Sequence, residues 1–381
     1  MQDLLKPYNL SFWELESIFN NIDLVVIGGG IVGLNAALQY KTKNKKAKVV
    51  VLERGILPYG ASTKNAGFAC FGSASEIISD IKSVGEESVW QTVRMRIDGL
   101  EKLKQIVGEQ NMKYDDCGGY ELFFNESDFE NYHKHLPFLN EAFEPFFNHK
   151  NVWKNASTEI RNFGFANTFG MLLNTAEGAI DTGSMMHTLH KICIAKDIVI
   201  LNNIHVNSIN EVGNGIELNI NEGLAVQSKK AIIASNGFAK QFLFDDDVRP
   251  ARAQVVITKP IENLKVNGTF HFDEGYYYFR NVGERILFGG ARNLDIKGET
   301  TTEFGTTDTI QNNLLKHLQE TILPNTPFEI EHTWSGIMGV GDDKKPIIKT
   351  VTKNIYCSVR MGGMGVAIGS LAGIEVANLA L

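Results

Sequence analysis

The chain has 381 residues, of which 43% are hydrophobic and 21% charged, the balance of a folded globular protein long enough for two domains. A net charge of −7 and a pI near 5.8 argue against a nucleic-acid or anionic-membrane partner, either of which would favour a basic face. No apolar run reaches the ~20 residues of a membrane span, residues 1–19 lack the order of a secretory leader, and the four cysteines stand singly, so a cytoplasmic location without zinc or disulfides is expected.

In chain order, Asp23–Ile27 (DLVVI) predicts a buried parallel strand, Ile31–Tyr40 a helix of small and apolar residues, and Lys48–Leu52 (KVVVL) a second buried strand. The basic run Lys41–Lys48 falls on the connection and suits a solvated face. A glycine-rich stretch follows, through Gly55, Gly60, Gly67 and Gly72. Ser88–Val107 has the pattern of a long amphipathic helix, Gly118–Phe124 of a strand, and Phe129–Phe147 of a further helix. Thr182–Ala195 predicts a helix leading into short strands at Ile198–Leu201, Ile216–Ile220 and Ala231–Ala234. Gln254–Thr258, Gly275–Arg280 and Arg285–Gly290 predict antiparallel strands, because turn residues separate them. A glycine-rich loop and a helix from about Val366 close the chain.

The turn between the first strand and helix, Gly28-Gly29-Gly30-Ile31-Val32-Gly33, has GxGxxG spacing. Gly28 would permit the tight turn, Gly30 the approach of a pyrophosphate, and Gly33 close packing of helix on sheet. The N–H groups of Ile31 and Val32 open the helix, whose dipole favours phosphate. Glu53 ends the next strand, where a carboxylate accepts hydrogen bonds from ribose hydroxyls, with Arg54 beside it. These features predict a dinucleotide site.

Beyond Arg54 the run Gly60-Ala61-Ser62-Thr63-Lys64-Asn65-Ala66-Gly67 has few bulky side chains, which lets backbone lie against a large flat ligand. Following a GxGxxG and Glu unit, it resembles the D-amino-acid oxidase and glycine/sarcosine oxidase family of flavoproteins. Other segments share the likeness: Glu177-Gly178-Ala179-Ile180-Asp181, Asn203-Ile204-His205-Val206, Ala231 to Gly237, Arg252-Ala253-Gln254-Val255 and Trp334-Ser335-Gly336-Ile337. So does the loop Arg360-Met361-Gly362-Gly363-Met364-Gly365-Val366. The resemblance implies FAD, contacted by Ala61, Ser62, Asn65, Ala66, Gly67, Val206 and Gly237, and by Gly362 to Val366 at the flavin edge. It also implies an α/β fold with an α+β substrate part. In that fold a Rossmann-like FAD-binding domain (1–75, 155–245 and 331–381) is interleaved with a smaller domain built on an antiparallel sheet (76–154 and 246–330).

The chain departs from the family where substrate is expected. Met338 stands where many members place a carboxylate-binding arginine, and Met361 replaces a loop histidine. No cysteine falls near Gly336, where covalent members attach the flavin, so FAD is expected to be non-covalent. Alternation along the strand puts Tyr276, Tyr278 and Arg280 on one face, an apolar wall with two hydroxyls and a cationic fork. Arg280 or Arg360 is the expected carboxylate anchor, with Arg292 behind them. The resulting expectation is oxidation of an amino acid or secondary amine at its C–N bond, with hydride passing to flavin N5 and then to oxygen or another electron acceptor. Oxidation of a 2-hydroxy acid, or a flavin-binding electron-transfer subunit, are the alternatives.

Overall fold

A computed structural model describes residues 9–147, 150–221 and 223–381. Residues 1–8, which open both the segment read for a leader and the expected FAD-binding domain, lie outside the described residues.

The first sheet is ordered Ile347–Thr350, Ile355–Val359, Leu224–Ile233, Ile22–Ile27, Val49–Leu52 and Val199–Leu201. Ile22–Ile27 is central and parallel to both neighbours, and its sequence is nearly all apolar because both faces are covered, one by helices and the other by apolar residues of strands Val206–Val212, Gly215–Ile220 and Leu224–Ile233. Ile355–Val359 and Val199–Leu201 extend the parallel part, and the hairpin Val206–Val212 with Gly215–Ile220 adds to Leu224–Ile233. Helix Ile31–Lys43 packs on this sheet and on the terminal helix Gly365–Ala380. A Cβ on Gly373 would come 2.4 Å from the Val32 carbonyl, so that small residue sets the close crossing. The other side of the terminal helix meets Glu86–Val107 at Gly99, whose carbonyl accepts from the Ser370 hydroxyl.

The second sheet is ordered Ile330–Val340, Arg249–Thr258, Arg285–Gly290, Tyr277–Val282, Thr269–Phe272, Gly119–Phe123, Gly170–Asn174 and Trp153–Asn155. One face carries an aromatic core in which Phe270 stacks on Phe279 with ring centroids 4.8 Å apart. On the opposite face, register pairs Glu121 with His271, His271 with Tyr278, and Tyr278 with Gly289, a transverse row.

Several elements differ from expectation. The helix expected over Phe129–Phe147 is two, Glu126–His133 and Leu136–Phe147, broken at a turn where His135 N–H bonds to the Tyr132 carbonyl. Helix Ala74–Val84 was not anticipated, although Ser73 caps it by accepting from Glu76 N–H. Strand Gly170–Asn174, and Ile330–Val340 beyond its first residue, were assigned by sequence to the cofactor part but are hydrogen-bonded into the second sheet.

Candidate active site

The end of strand Ile22–Ile27 opens on a cavity of about 580 Å³, in the range of small-molecule sites. Gly28 has φ +113°, and a Cβ there would lie 2.7 Å from the Ala234 carbonyl. A Cβ on Gly33 would fall 1.9 Å from the Gly28 carbonyl, so helix and turn can meet only at a glycine. Gly28, Gly30, Ile31 and Val32 line the cavity. Ser62, across from Gly30, accepts from Ile31 N–H at 3.0 Å and ties the second glycine stretch to the helix start.

Glu53 is 6% exposed and lies on the wall. Its Oε2 accepts from Gly29 N–H at 2.8 Å, and Oε1 from Gly55 and Tyr59 N–H at 2.9 and 3.1 Å. Its orientation is therefore fixed by backbone on both sides. Arg54 packs 4.0 Å over the ring of Phe238 at the same end, near Val206. Ala61, Asn65 and Ala66 line the next stretch. Asn65 spends its amide on the carbonyls of Ala61 and Ser62, and its oxygen on Gly67 N–H and the Thr182 hydroxyl, so it shapes the loop. Gly362, Gly363, Met364, Gly365 and Val366 line the cavity at the start of the terminal helix. Gly362 and Gly363 both have positive φ, which turns the chain so that the helix N-terminus faces the cavity.

The donor set suits a dinucleotide. Two glycine turns and two helix N-termini converge on one elongated cavity, and the buried Ser235 hydroxyl on its wall has no partner within the protein.

Gly33, Gly67 and Gly237 sit behind the wall rather than on it; added Cβ atoms would strike the carbonyls of Gly28, Ile180 and Met338 respectively. Two expectations require correction. Arg280 shares its strand face with Tyr278, but its guanidinium donates to the carbonyls of Gly67 and Ile180 at 2.9 Å, and to Asn281. It fastens the glycine loop and is absent from the cavity wall. Arg360 also turns away: it pairs with Asp247 and Asp343 at 3.0 and 2.7 Å and donates to the Lys345 carbonyl.

Tyr276 and Tyr278 do line the cavity, on the side of the second sheet, whereas Glu53 and Arg54 follow a strand of the first. Tyr278 lies flat over Gly289, where a Cβ would strike its ring, and meets Phe68 edge-on. Burial pushes its phenol up to about 12, so it is a neutral donor. The arginine on this wall is Arg292, 5.9 Å from the Tyr276 ring centre and without a carboxylate partner among the described residues. Gly290 and Ala291, both at positive φ, turn the chain to present it. Lys344 also reaches the wall but is paired with Glu76 and Asp80 at 3.0 and 2.8 Å.

Sequence reasoning missed His271, Ser73 and Glu76 on this wall. Burial would raise the Glu76 carboxyl, but Arg96 and Lys344 overcome it and hold the group down to about 2. Cys70, also on the wall, touches Met364 Sδ at 3.7 Å. Burial pushes its thiol well above the ordinary value, so it is no thiolate for attachment to a flavin. Among the described residues no cluster of three or more candidate metal ligands occurs, and no helix is long and apolar enough to cross a membrane.

Comparison with known proteins bears on this geometry. The chain is similar to L-proline dehydrogenase from P. horikoshii, with a TM-score of 0.74 and 18% identity over 95% of this chain and 94% of that one. It is similar to glycine oxidase from Bacillus cereus, with a TM-score of 0.72 and 16% identity over 94% and 97% of the two chains. Among curated sequences it is 24% identical over 375 residues to a probable oxidoreductase, OrdL, from Haemophilus influenzae, covering 94% of this chain and 83% of the relative. The profile of the FAD dependent oxidoreductase family matches residues 23–379. The chain belongs to that family of FAD-dependent oxidoreductases, and FAD is its cofactor.

Proposed function

We propose that the protein oxidises the C–N bond of a small amino acid or secondary amine. The observation that carries this reading is Arg292: a cation on the cavity wall, beside Tyr276 and Tyr278, with no carboxylate of its own among the described residues. A substrate carboxylate supplies the missing partner, gripped by the planar guanidinium. Tyr278 and Phe68 form an apolar wall that keeps water from the reacting carbon. FAD held by Gly28, Gly30, Glu53, Ser62 and the Gly362–Val366 loop would supply the two-electron acceptor, with N5 as the site for hydride from the α-carbon, and oxygen or another electron acceptor would restore it.

The first sheet, with Gly28, Gly30, Glu53, Ser62 and the Gly362–Val366 loop, holds the cofactor in this reading, and the second sheet walls the substrate. The names of the similar proteins, an L-proline dehydrogenase and a glycine oxidase, point the same way. Four free cysteines suit the reducing cytoplasm.

Anaerobic mixing of the FAD-loaded protein with glycine, N-methylglycine, L-proline and their 2-hydroxy-acid counterparts tests the reading. At least one amine should bleach the flavin while its hydroxy counterpart does not. Bleaching by hydroxy acids alone would replace the amine reading with alcohol oxidation, and bleaching by neither would leave a flavoprotein without a small substrate of these classes.

A further inference from the structure

Behind the substrate end of the cavity stand Glu177 and His271. Glu177 is fully buried; its Oε1 accepts from Phe71 N–H at 2.8 Å, while Oε2 has no hydrogen-bond partner. Oε2 lies 3.7 Å from Nε2 of His271, whose ring is on the cavity wall. Gly119 makes room for the carboxyl, since a Cβ there would come 2.0 Å from Oε2. A bare buried carboxylate oxygen is costly, and burial pushes Glu177 up to about 8. Burial also pushes His271 down to about 4. Near neutral pH the carboxyl thus keeps a proton and the imidazole is a free base.

Of this pair only His271 lies on the cavity wall, with Glu177 behind it, and the titratable groups described around the pair are otherwise held. Glu76 stays ionised between Arg96 and Lys344. Tyr278 and Cys70 are pushed up and stay neutral. Glu121, paired in register with His271, is raised by burial to about 7, but both its oxygens are engaged by the N–H and hydroxyl of Ser75, whereas Glu177 Oε2 has no hydrogen-bond partner.

Resting on the amine reading above, we propose that Glu177 and His271 form a buried store for one proton, which takes that proton from the substrate's ammonium group before the C–N bond is oxidised. With the store empty, Glu177 is a carboxylate, His271 carries its proton on Nε2, which faces Oε2 from 3.7 Å, and Nδ1 carries a free lone pair. An ammonium N–H bond breaks and its proton forms Nδ1–H; the Nε2–H bond breaks and its proton forms O–H on Glu177 Oε2. The amine keeps the electron pair and becomes neutral, as hydride loss from its α-carbon requires. The store now holds one more proton, and this returns to solvent between turnovers.

Two measurements on the FAD-loaded protein test the store. In anaerobic stopped-flow, the rate constant for reduction by saturating glycine, or by whichever of the three amines reduces fastest, should rise through an inflection near pH 8. Glu177→Gln should lose that inflection and slow reduction by about 10²-fold, the usual scale for a lost proton acceptor. Without substrate, the infrared carbonyl band of a protonated carboxyl group that titrates near pH 8 should vanish in Glu177→Gln and persist in Glu121→Gln. Should Glu177→Gln fail to load FAD, His271→Gln carries the same kinetic expectation. A wild-type pH profile in the variant, or a band indifferent to Glu177, would overturn the proposal. Wild-type flavin that no amine reduces would instead overturn the amine reading, and the wild type is measured first.

Discussion

Replacing Arg292 by Met should weaken the binding of a carboxylate-bearing amine by about 10²-fold, measured as the Kd for anaerobic flavin reduction. That factor corresponds to about 2–3 kcal/mol of charge-assisted hydrogen bonding removed from a partly buried site. Met keeps an unbranched apolar side chain of similar reach while removing the guanidinium that lies near the Tyr276 ring, so FAD content should not change. An amine of similar size without a carboxylate should lose almost nothing, which separates a lost anchor from a distorted pocket. Arg360→Met is the comparison: Arg360 is tied to Asp247 and Asp343, so its loss should act on loop stability more than on substrate affinity. Equal affinity of Arg292→Met and wild type for glycine would remove Arg292 from the site.

Arg252→Met carries the largest expected effect on stability, a loss of about 3–5 kcal/mol. Arg252 grips Glu299 in a fork, with Nε to Oε2 at 2.9 Å and Nη2 to Oε1 at 2.8 Å, and Gln254 adds a bond to Oε1 at 2.9 Å. The glutamate side chain is 1% exposed, so removing the arginine strands a charge that water cannot reach. The pair also fastens the segment carrying Arg292 to strand Arg249–Thr258, because Arg252 N–H bonds to the Glu299 carbonyl. The urea midpoint should fall at unchanged slope, and Arg252→Met with Glu299→Leu together should recover much of the loss. A double variant as unstable as the single one would mean that the stranded charge is not the cause.

The half of the candidate site proposed for the cofactor was legible because its signals are local. A strand, three spaced glycines, a helix and an acid at the next strand end fall within a few dozen residues, each set by backbone sterics at its own position. Glu53 lies on the cavity wall where that spacing puts a ribose acceptor. The substrate half depends on partners distant in sequence. Alternation put Arg280 on the same face as Tyr278, but could not reveal the carbonyls of Gly67 and Ile180 waiting for its guanidinium. Arg360 adjoins the glycine loop, yet its positive φ and two aspartates carry it outward. Arg292 gains its place from a turn at Gly290 and Ala291 whose backbone conformation no side-chain pattern encodes. His271 and Glu177 lie on separate elements, and only the packing of Gly119 against Glu177 brings the carboxyl to the histidine.

The most direct test of C–N oxidation is product stoichiometry in a single anaerobic turnover. FAD-loaded protein is mixed with excess glycine, the flavin bleaching is followed to completion, and ammonia is assayed after quenching. If glycine is not the amine that reduces the flavin, N-methylglycine is used, and methylamine from oxidation at the α-carbon and glycine with formaldehyde from oxidation at the methyl carbon are assayed. One amine nitrogen released per flavin reduced is the predicted result. Full bleaching by glycine without released ammonia, or by N-methylglycine without methylamine or the pair glycine and formaldehyde, would contradict oxidation at the C–N bond.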